Sequence, residues 1–254
     1  MDDDLDLALE LADLADAITT RRFRAADLRV DTKPDLSPVT EADRAVEQTI
    51  RDAIAAVRPG DAVVGEELGT EGAGPRRWIV DPIDGTKNFI RGIPVWATLI
   101  ALEQRGDVVV GVASAPALHR RWWAARGRGA FANGEQIRVS KVARLEDAQL
   151  CFTGALGFER KGLGERFLFL ARRCWRNRGF GDFWQHTLVA EGSADVAVEP
   201  EVSLWDLAAV QVIVEEAGGR FTDLQGVPTA AGGSAVSTNG LLHDTVLEIM
   251  SGAG

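Results

Sequence analysis

Leu5, Leu9, Ala12, Leu14 and Ala15 recur at helical spacing, so the pattern predicts an amphipathic first helix over residues 4–24. Residues 31–39 interrupt it with two prolines and little apolar content, which predicts a loop. Thr40, with Asp43 three positions on, has the form of a capping box. Val46, Ile50, Ile54 and Val57 then mark one face of a second helix, closed by Pro59-Gly60.

From residue 62 the period changes. Residues 62–65, 78–80, 97–102, 108–113 and 122–125 are alternating or continuous apolar runs with glycine-containing turns between several of them, which predicts a largely antiparallel sheet behind the paired helices. Helical patterning returns at 163–176, 182–191 and 203–217, with an apolar segment at 194–198, so the second half alternates strand and helix. There is no fixed-period repeat, and Gly232-Gly233 is too short for a flexible linker. The expected organisation is one compact unit of two interlocked subdomains, 1–145 and 146–254, joined near residues 140–150.

A chain of 254 residues with 46% apolar and 26% charged residues can bury a substantial core, which excludes general disorder. Its formal charge of -10 and the absence of a long basic run exclude nucleic acid as the main partner. That acidity also repels a phosphate ester unless something positive intervenes, and bound metal is the simplest answer. Met1-Asp2-Asp3-Asp4-Leu5 lacks the positive start of a secretory leader, and no apolar run reaches bilayer length. A cytoplasmic protein with no membrane partner is therefore expected. Cys151 and Cys174 are read as packing residues, and His119, His186 and His243 are too scattered for a zinc site.

The most informative stretch is Trp78-Ile79-Val80-Asp81-Pro82-Ile83-Asp84-Gly85-Thr86. A strand-like run ends in two carboxylates, and Pro82 restricts the chain so that the Ile83 carbonyl can face the same point. Hard divalent cations take oxygen ligands of this kind. Gly85 and Thr86 would begin a helical turn whose free amides favour a phosphate oxygen. The same residues also describe an Asp-Gly turn with Asp84 as a helix cap. Glu66 can be a solvated surface acid, and Asp206, three positions after Ser203, can be a capping acid.

Gly65-Glu66-Glu67, residues 78–89 with Asp-Pro-Ile-Asp-Gly-Thr inside them, and Trp205-Asp206 followed by Glu215-Glu216-Ala217-Gly218-Gly219 together resemble the inositol monophosphatase family over almost the whole chain. The resemblance implies an α+β fold, a layered αβαβα sandwich. It also implies that Glu66, Asp81, the Ile83 carbonyl, Asp84 and Asp206 ligate two or three magnesium ions, with manganese as an alternative. By the same match Asp84, Gly85, Thr86 and Asp206 meet the substrate, Asp43 acts from outside the ligand set, Lys33 lies in a loop covering the metals, and the protein is a homodimer. The expected reaction is phosphomonoester hydrolysis by a cation-activated water, with Glu66, Thr86 and Asp43 as candidates for orienting and deprotonating it. A cysteine phosphatase is excluded because Gly157 and Phe180, not arginine, follow Cys151 and Cys174 at the required distance. The three-residue spacing of Asp81 and Asp84 excludes the haloacid dehalogenase pattern.

Arg178-Gly179-Phe180-Gly181-Asp182-Phe183 aligns with a segment that carries Gly-Thr-Ala in the inositol enzymes, so Asp182 replaces a small neutral residue. An added carboxylate suits a cationic substrate, and histidinol phosphate carries an ammonium and an imidazole. This stretch, with Lys33-Pro34-Asp35 and Thr86-Lys87-Asn88-Phe89, resembles the histidinol-phosphatase branch. Glu199 matches a substrate-contacting position and offers a second acceptor. Asp182 as a helix cap, Glu199 as an exposed strand end, and Arg178 as partner of either Asp182 or the ligand are the open alternatives. The competing functions are an inositol-phosphate or sugar-phosphate phosphatase and a regulatory binding protein that keeps the fold.

Overall fold

Helix α1 (Asp2–Arg22) buries Leu7, Ala8, Leu11, Ala12 and Ala15 beside α2 (Glu41–Val57) in the computed structural model, which describes residues 2–252. The connection expected as a loop instead pairs β1 (Val30–Thr32) with β2 (Pro38–Thr40) as an antiparallel hairpin. Pro38 is tolerated because it opens its strand. The capping box forms as expected: Thr40 N donates to Asp43 Oδ2 at 2.8 Å, and Ala42 N donates to Thr40 Oγ1 at 3.1 Å.

The chain continues through β3 (Ala62–Gly65), β4 (Gly69–Glu71), β5 (Arg76–Asp84), the one-turn helix α3 (Thr86–Ile90), β6 (Ala97–Gln104), β7 (Asp107–Ala115), β8 (Arg120–Ala125), β9 (Gly129–Ala132) and β10 (Glu135–Ile137). The strands form one sheet in the order β10-β9-β8-β7-β6-β5-β3-β4, antiparallel throughout except for the parallel pair β3 and β5. The second half supplies β11 (Gln149–Phe152), α4 (Ala155–Arg160), α5 (Gly164–Arg173), β12 (Arg176–Arg178), α6 (Asp182–Ala190), β13 (Val196–Glu199), α7 (Leu204–Glu216), β14 (Arg220–Thr222), β15 (Ala235–Thr238) and α8 (His243–Ser251). Its sheet runs β12-β11-β13-β15-β14.

Side-chain alternation on the strands sorts these elements into layers. Trp78, Val80, Ile100, Leu102, Val110 and Val112 face α1 and α2. Ile79, Leu99, Ala101 and Ala113 face the other way, onto Leu207, Val210 and Val214 of α7 and Phe183 of α6. Val189 of α6 meets Cys151 and Ala197 of the second sheet, whose far face packs Leu150, Val196 and Val236 against Phe167 of α5 and Val246 of α8. The result is an αβαβα sandwich whose middle helical layer is α6 and α7. That layer sits close: a Cβ on Gly111 of β7 would lie 2.4 Å from the Ala209 carbonyl oxygen, so only glycine lets α7 approach the sheet.

Candidate active site

Residues three apart on a regular strand point to opposite faces, so the spacing of Asp81 and Asp84 alone would separate them. The structure resets the parity. Asp81 pairs with Leu99 and Asp84 with Ala97, so β5 takes three steps where β6 takes two, a bulge that contains Pro82. Both carboxylates then turn to the side of Ile79 and α7. There Asp206, in the first turn of α7, completes a group whose ligand atoms all lie within 4.8 Å of one another. In the parallel neighbour Gly65 pairs with Val80, and Glu66 N donates to Val80 O at 3.2 Å, which places Glu66 level with Asp81.

This arrangement is electrostatically unfavourable by itself. Burial, then the charges of Glu66, Asp84 and Asp206, drive Asp81 well above the ordinary carboxylate range. Burial, then Asp182 and Asp206, do the same to Asp84. Asp206 is pushed up to about 6, chiefly by burial. Converging buried carboxylates carry a large desolvation and repulsion cost unless a cation neutralises them. An all-oxygen, anionic donor set of this kind fits a hard divalent ion.

The outer side of the cluster is built by α2 and α3. Thr86 Oγ1 donates to the Ile83 carbonyl at 3.0 Å and lies 3.4 Å from Asp43 Oδ1. Burial, with the charge of Glu66 adding to it, raises Asp43 to about 6 against its bonds from Thr40. Lys33, in the hairpin turn, donates to Glu66 Oε1 at 2.6 Å and to Glu67 Oε1 at 3.0 Å. Burial pulls the Lys33 ammonium down, but its bonds to these two acids outweigh this and hold it above the usual lysine range.

A cleft of about 500 Å³ opens over these groups, lined among others by Glu66, Gly85, Thr86, Asp206, Phe180 and Asp182. Gly181 precedes α6 as its cap residue, and Asp182 is the first helical residue with a φ of 51° and makes no capping bond, so the helix-cap alternative is corrected. Its carboxylate instead accepts from Asn88 Nδ2 at 3.2 Å. Burial, then Glu199 and Asp206, push Asp182 up to about 7. Holding a non-glycine residue at positive φ stores strain of the kind found at functional sites.

Glu199 is buried, which corrects the exposed-strand-end alternative. Thr153 Oγ1 donates to its Oε1, and His186 Nε2 lies 3.0 Å from its Oε2. Arg178 does not join this group: its guanidinium is exposed and donates to the Asn177 carbonyl at 2.7 Å. Asp206 does accept from Ser203 N, at 2.8 Å, so capping and cluster membership coexist in one side chain. From sequence alone, Asn88, Thr153, Phe180 and His186 carry no site role. His186 had a signal, because it stands four positions after Asp182 on one helix and so shares its face. Thr153 had none, since only the tertiary fold carries the end of β11 to Glu199.

Fold and cluster together define a phosphomonoester hydrolase of the layered type. The chain belongs to the inositol monophosphatase family, whose sequence model, described as Inositol monophosphatase family, matches residues 1–252. It is 61% identical over 252 residues to a protein named Histidinol-phosphatase from Mycobacterium tuberculosis, covering 96% of each chain. It is 53% identical over 254 residues to a Histidinol-phosphatase from Streptomyces coelicolor, again covering 96% of each. Among solved structures it is similar to an IMPase from Thermotoga maritima, with a TM-score of 0.90 and 34% identity, covering 98% of this chain and 97% of that one.

Proposed function

We propose that this phosphomonoester hydrolase takes L-histidinol phosphate and releases L-histidinol, using magnesium, or manganese in its place, held by Glu66, Asp81, the Ile83 carbonyl, Asp84 and Asp206. The observation that carries the substrate reading is the placement of Asp182 in the cleft near buried Glu199, where burial first, and then repulsion by the charge of Glu199, raise Asp182 to about 7. A cationic leaving group relieves that repulsion, whereas a neutral polyol leaves it in place. Phe180 lines the cleft beside Asp182, backed by Trp184 with ring centroids 4.8 Å apart and planes tilted by 45°, and offers one aromatic ring for an imidazole to pack against. The names of the relatives from Mycobacterium tuberculosis and Streptomyces coelicolor support the same substrate.

When bound, the cations supply Lewis acidity, neutralising phosphate oxygens and making a water more acidic. Gly85 and Thr86 meet the phosphate, and the Thr86 hydroxyl, held between the Ile83 carbonyl and Asp43, orients the attacking water. Glu66 or the Asp43–Thr86 pair takes the water's proton as the new P–O bond forms and the ester P–O bond breaks, and the departing alkoxide takes a proton from solvent water. Asp182 and Glu199 hold the cationic end of the leaving group. Family resemblance alone adds the expectation of a cytoplasmic homodimer, whose assembly analytical ultracentrifugation measures directly.

The deciding experiment measures phosphate release by the purified protein with magnesium. The panel is L-histidinol phosphate, inositol 1-phosphate, fructose 1,6-bisphosphate and adenosine 3′,5′-bisphosphate. L-Histidinol phosphate should have the highest kcat/KM, and chelation should abolish turnover. A preference for inositol 1-phosphate overturns the substrate reading.

A further inference from the structure

Glu47 stands one helical turn beyond Asp43 on α2, is fully buried, and reaches the β3–β4 turn. We propose that Glu47, braced by Arg51, is a positioning residue that fixes the Glu66 carboxylate on the metal site. It does so through the backbone of the turn, since its own carboxylate is spent on the turn amides and Arg51.

Glu66 is the first residue of a three-residue connection between β3 and β4, and β4 is a short, exposed strand at the sheet edge. A turn in that place has support from only one side of the sheet. Glu47 supplies the rest: its Oε2 accepts from Glu67 N at 2.7 Å and its Oε1 from Leu68 N at 3.0 Å. Arg51 Nε and Nη2 donate to Oε1 at 3.0 and 2.7 Å, and Nη2 also donates to the Gly69 carbonyl at the far end of the turn. The peptide on each side of Glu66 is thereby fixed, one by the ladder bond to Val80 and the other by Glu47.

Gly65 is the clearest sign of this arrangement. A Cβ there would lie 2.0 Å from Glu47 Oε1 and 2.2 Å from its Cδ, so the strand omits a side chain where the carboxylate passes beneath it. Arg51 also explains why another carboxylate is tolerated near an already repulsive cluster, because the pair is locally neutral. A buried ion pair is a poor device for stability, since apolar residues of similar volume often stabilise as well or better. Its geometry here instead supplies two amide acceptors, which no apolar pair offers.

The test is Glu47→Gln in the full chain, with Mn²⁺ binding measured by isothermal titration calorimetry and the thermal midpoint measured without metal. The expected result is binding weakened by about tenfold, the lower end for partners that orient metal ligands. The magnesium activation constant should rise by more than kcat at saturating metal falls. In a Glu66→Gln background the Glu47→Gln change should add little further loss, because its effect travels through Glu66. Unchanged Mn²⁺ affinity in the folded variant overturns the proposal, and so do fully additive losses in the double variant. If Glu47→Gln does not fold, Arg51→Lys, which keeps the charge but loses the fork, provides the same comparison. None of these readouts depends on which phosphate ester is hydrolysed.

Discussion

With magnesium in the proposed site, acidification should erode the stabilisation it would give, and the acidic cluster sets how steeply. In the metal-free fold Asp206 titrates at about 6, against 3.8 for an unperturbed aspartate, while Asp81 and Asp84 are raised well above that value. Between the unfolded and folded values the metal-free native state holds protons that the unfolded chain has released. These groups therefore favour the metal-free fold as pH falls from 7 to about 5, and their cost is fully present above their folded pKa values. A displacement of about two units at Asp206 corresponds to about 3 kcal/mol, as an order of magnitude. A cation needs the carboxylates ionised, so each proton it displaces weakens binding by about tenfold per pH unit, or about 1.4 kcal/mol at fixed magnesium. For a chain of this size that is about 3–6 °C of melting temperature per unit.

His243 works in the opposite direction and must be separated from this effect. It is buried between the hydroxyls of Thr222 and Thr238, and burial, with Arg220 adding to it, pushes it down to about 4. It stays neutral in the fold while the unfolded chain protonates below about 6.5, so its stabilisation is lost as pH falls through that range. Because it contributes with and without metal, the informative quantity is the difference between melts in magnesium and in chelator. Calorimetric or fluorimetric melts at pH 8, 7, 6 and 5 should show that difference shrinking below pH 7. A difference that stays constant, or is largest at pH 5, refutes the argument.

Asp182→Asn should lower kcat/KM for L-histidinol phosphate by about 10- to 100-fold, the worth of a charge-assisted contact of about 1.5–3 kcal/mol, and spare a neutral ester such as p-nitrophenyl phosphate. Equal losses on both substrates would show that charge recognition is misassigned. Thr86→Ala removes the hydroxyl between Ile83 O and Asp43 Oδ1, and should lower kcat by about 100-fold or more with little change in melting temperature. Wild-type turnover in that variant rules out its part in orienting water. Gly111→Val drives a side chain into the Ala209 carbonyl and should cost about 1–3 kcal/mol in urea unfolding, whereas an unchanged midpoint would contradict the close approach of α7.

How much of this was legible depends on the range of the interaction. The α2 helix was readable because its cap, Thr40 to Asp43, and its stripe, Val46, Ile50 and Ile54, are local signals that burial reinforces. Five strands of the first sheet appear as apolar runs for the same reason, while β4 and β10 have three residues each and three of the four residues of β9 are glycine or alanine. The β1–β2 hairpin was hidden by its prolines, and α8 by the irregular stretch before it. The acids were legible as a spaced motif and the family resemblance implied their convergence, but the backbone device that achieves it was not legible. Strand alternation predicts that Asp81 and Asp84 point apart, and only pairing with β6 reveals the extra residue that brings them together. Glu47 passed as an ordinary acid, since the turn amides it accepts from lie on another element.

The three acids of the cluster also share a device of which spacing discloses only the Ser203–Asp206 part. Asp81 Oδ1 accepts from Ile83 N, Asp84 Oδ2 from Phe183 N at the start of α6, and Asp206 Oδ2 from Ser203 N at the start of α7. In each, one oxygen is tied to backbone, which fixes the carboxylate plane and favours its ionised form, and the other oxygen remains to meet a cation. Two of those three amides belong to the middle helical layer. A cation site on the first sheet is therefore oriented by helices from the second half of the chain. The same docking that buries Phe183 and Leu207 aims the acids. Loosening that layer should consequently weaken metal binding before any ligand is changed, because the carboxylates would lose direction while keeping their charge.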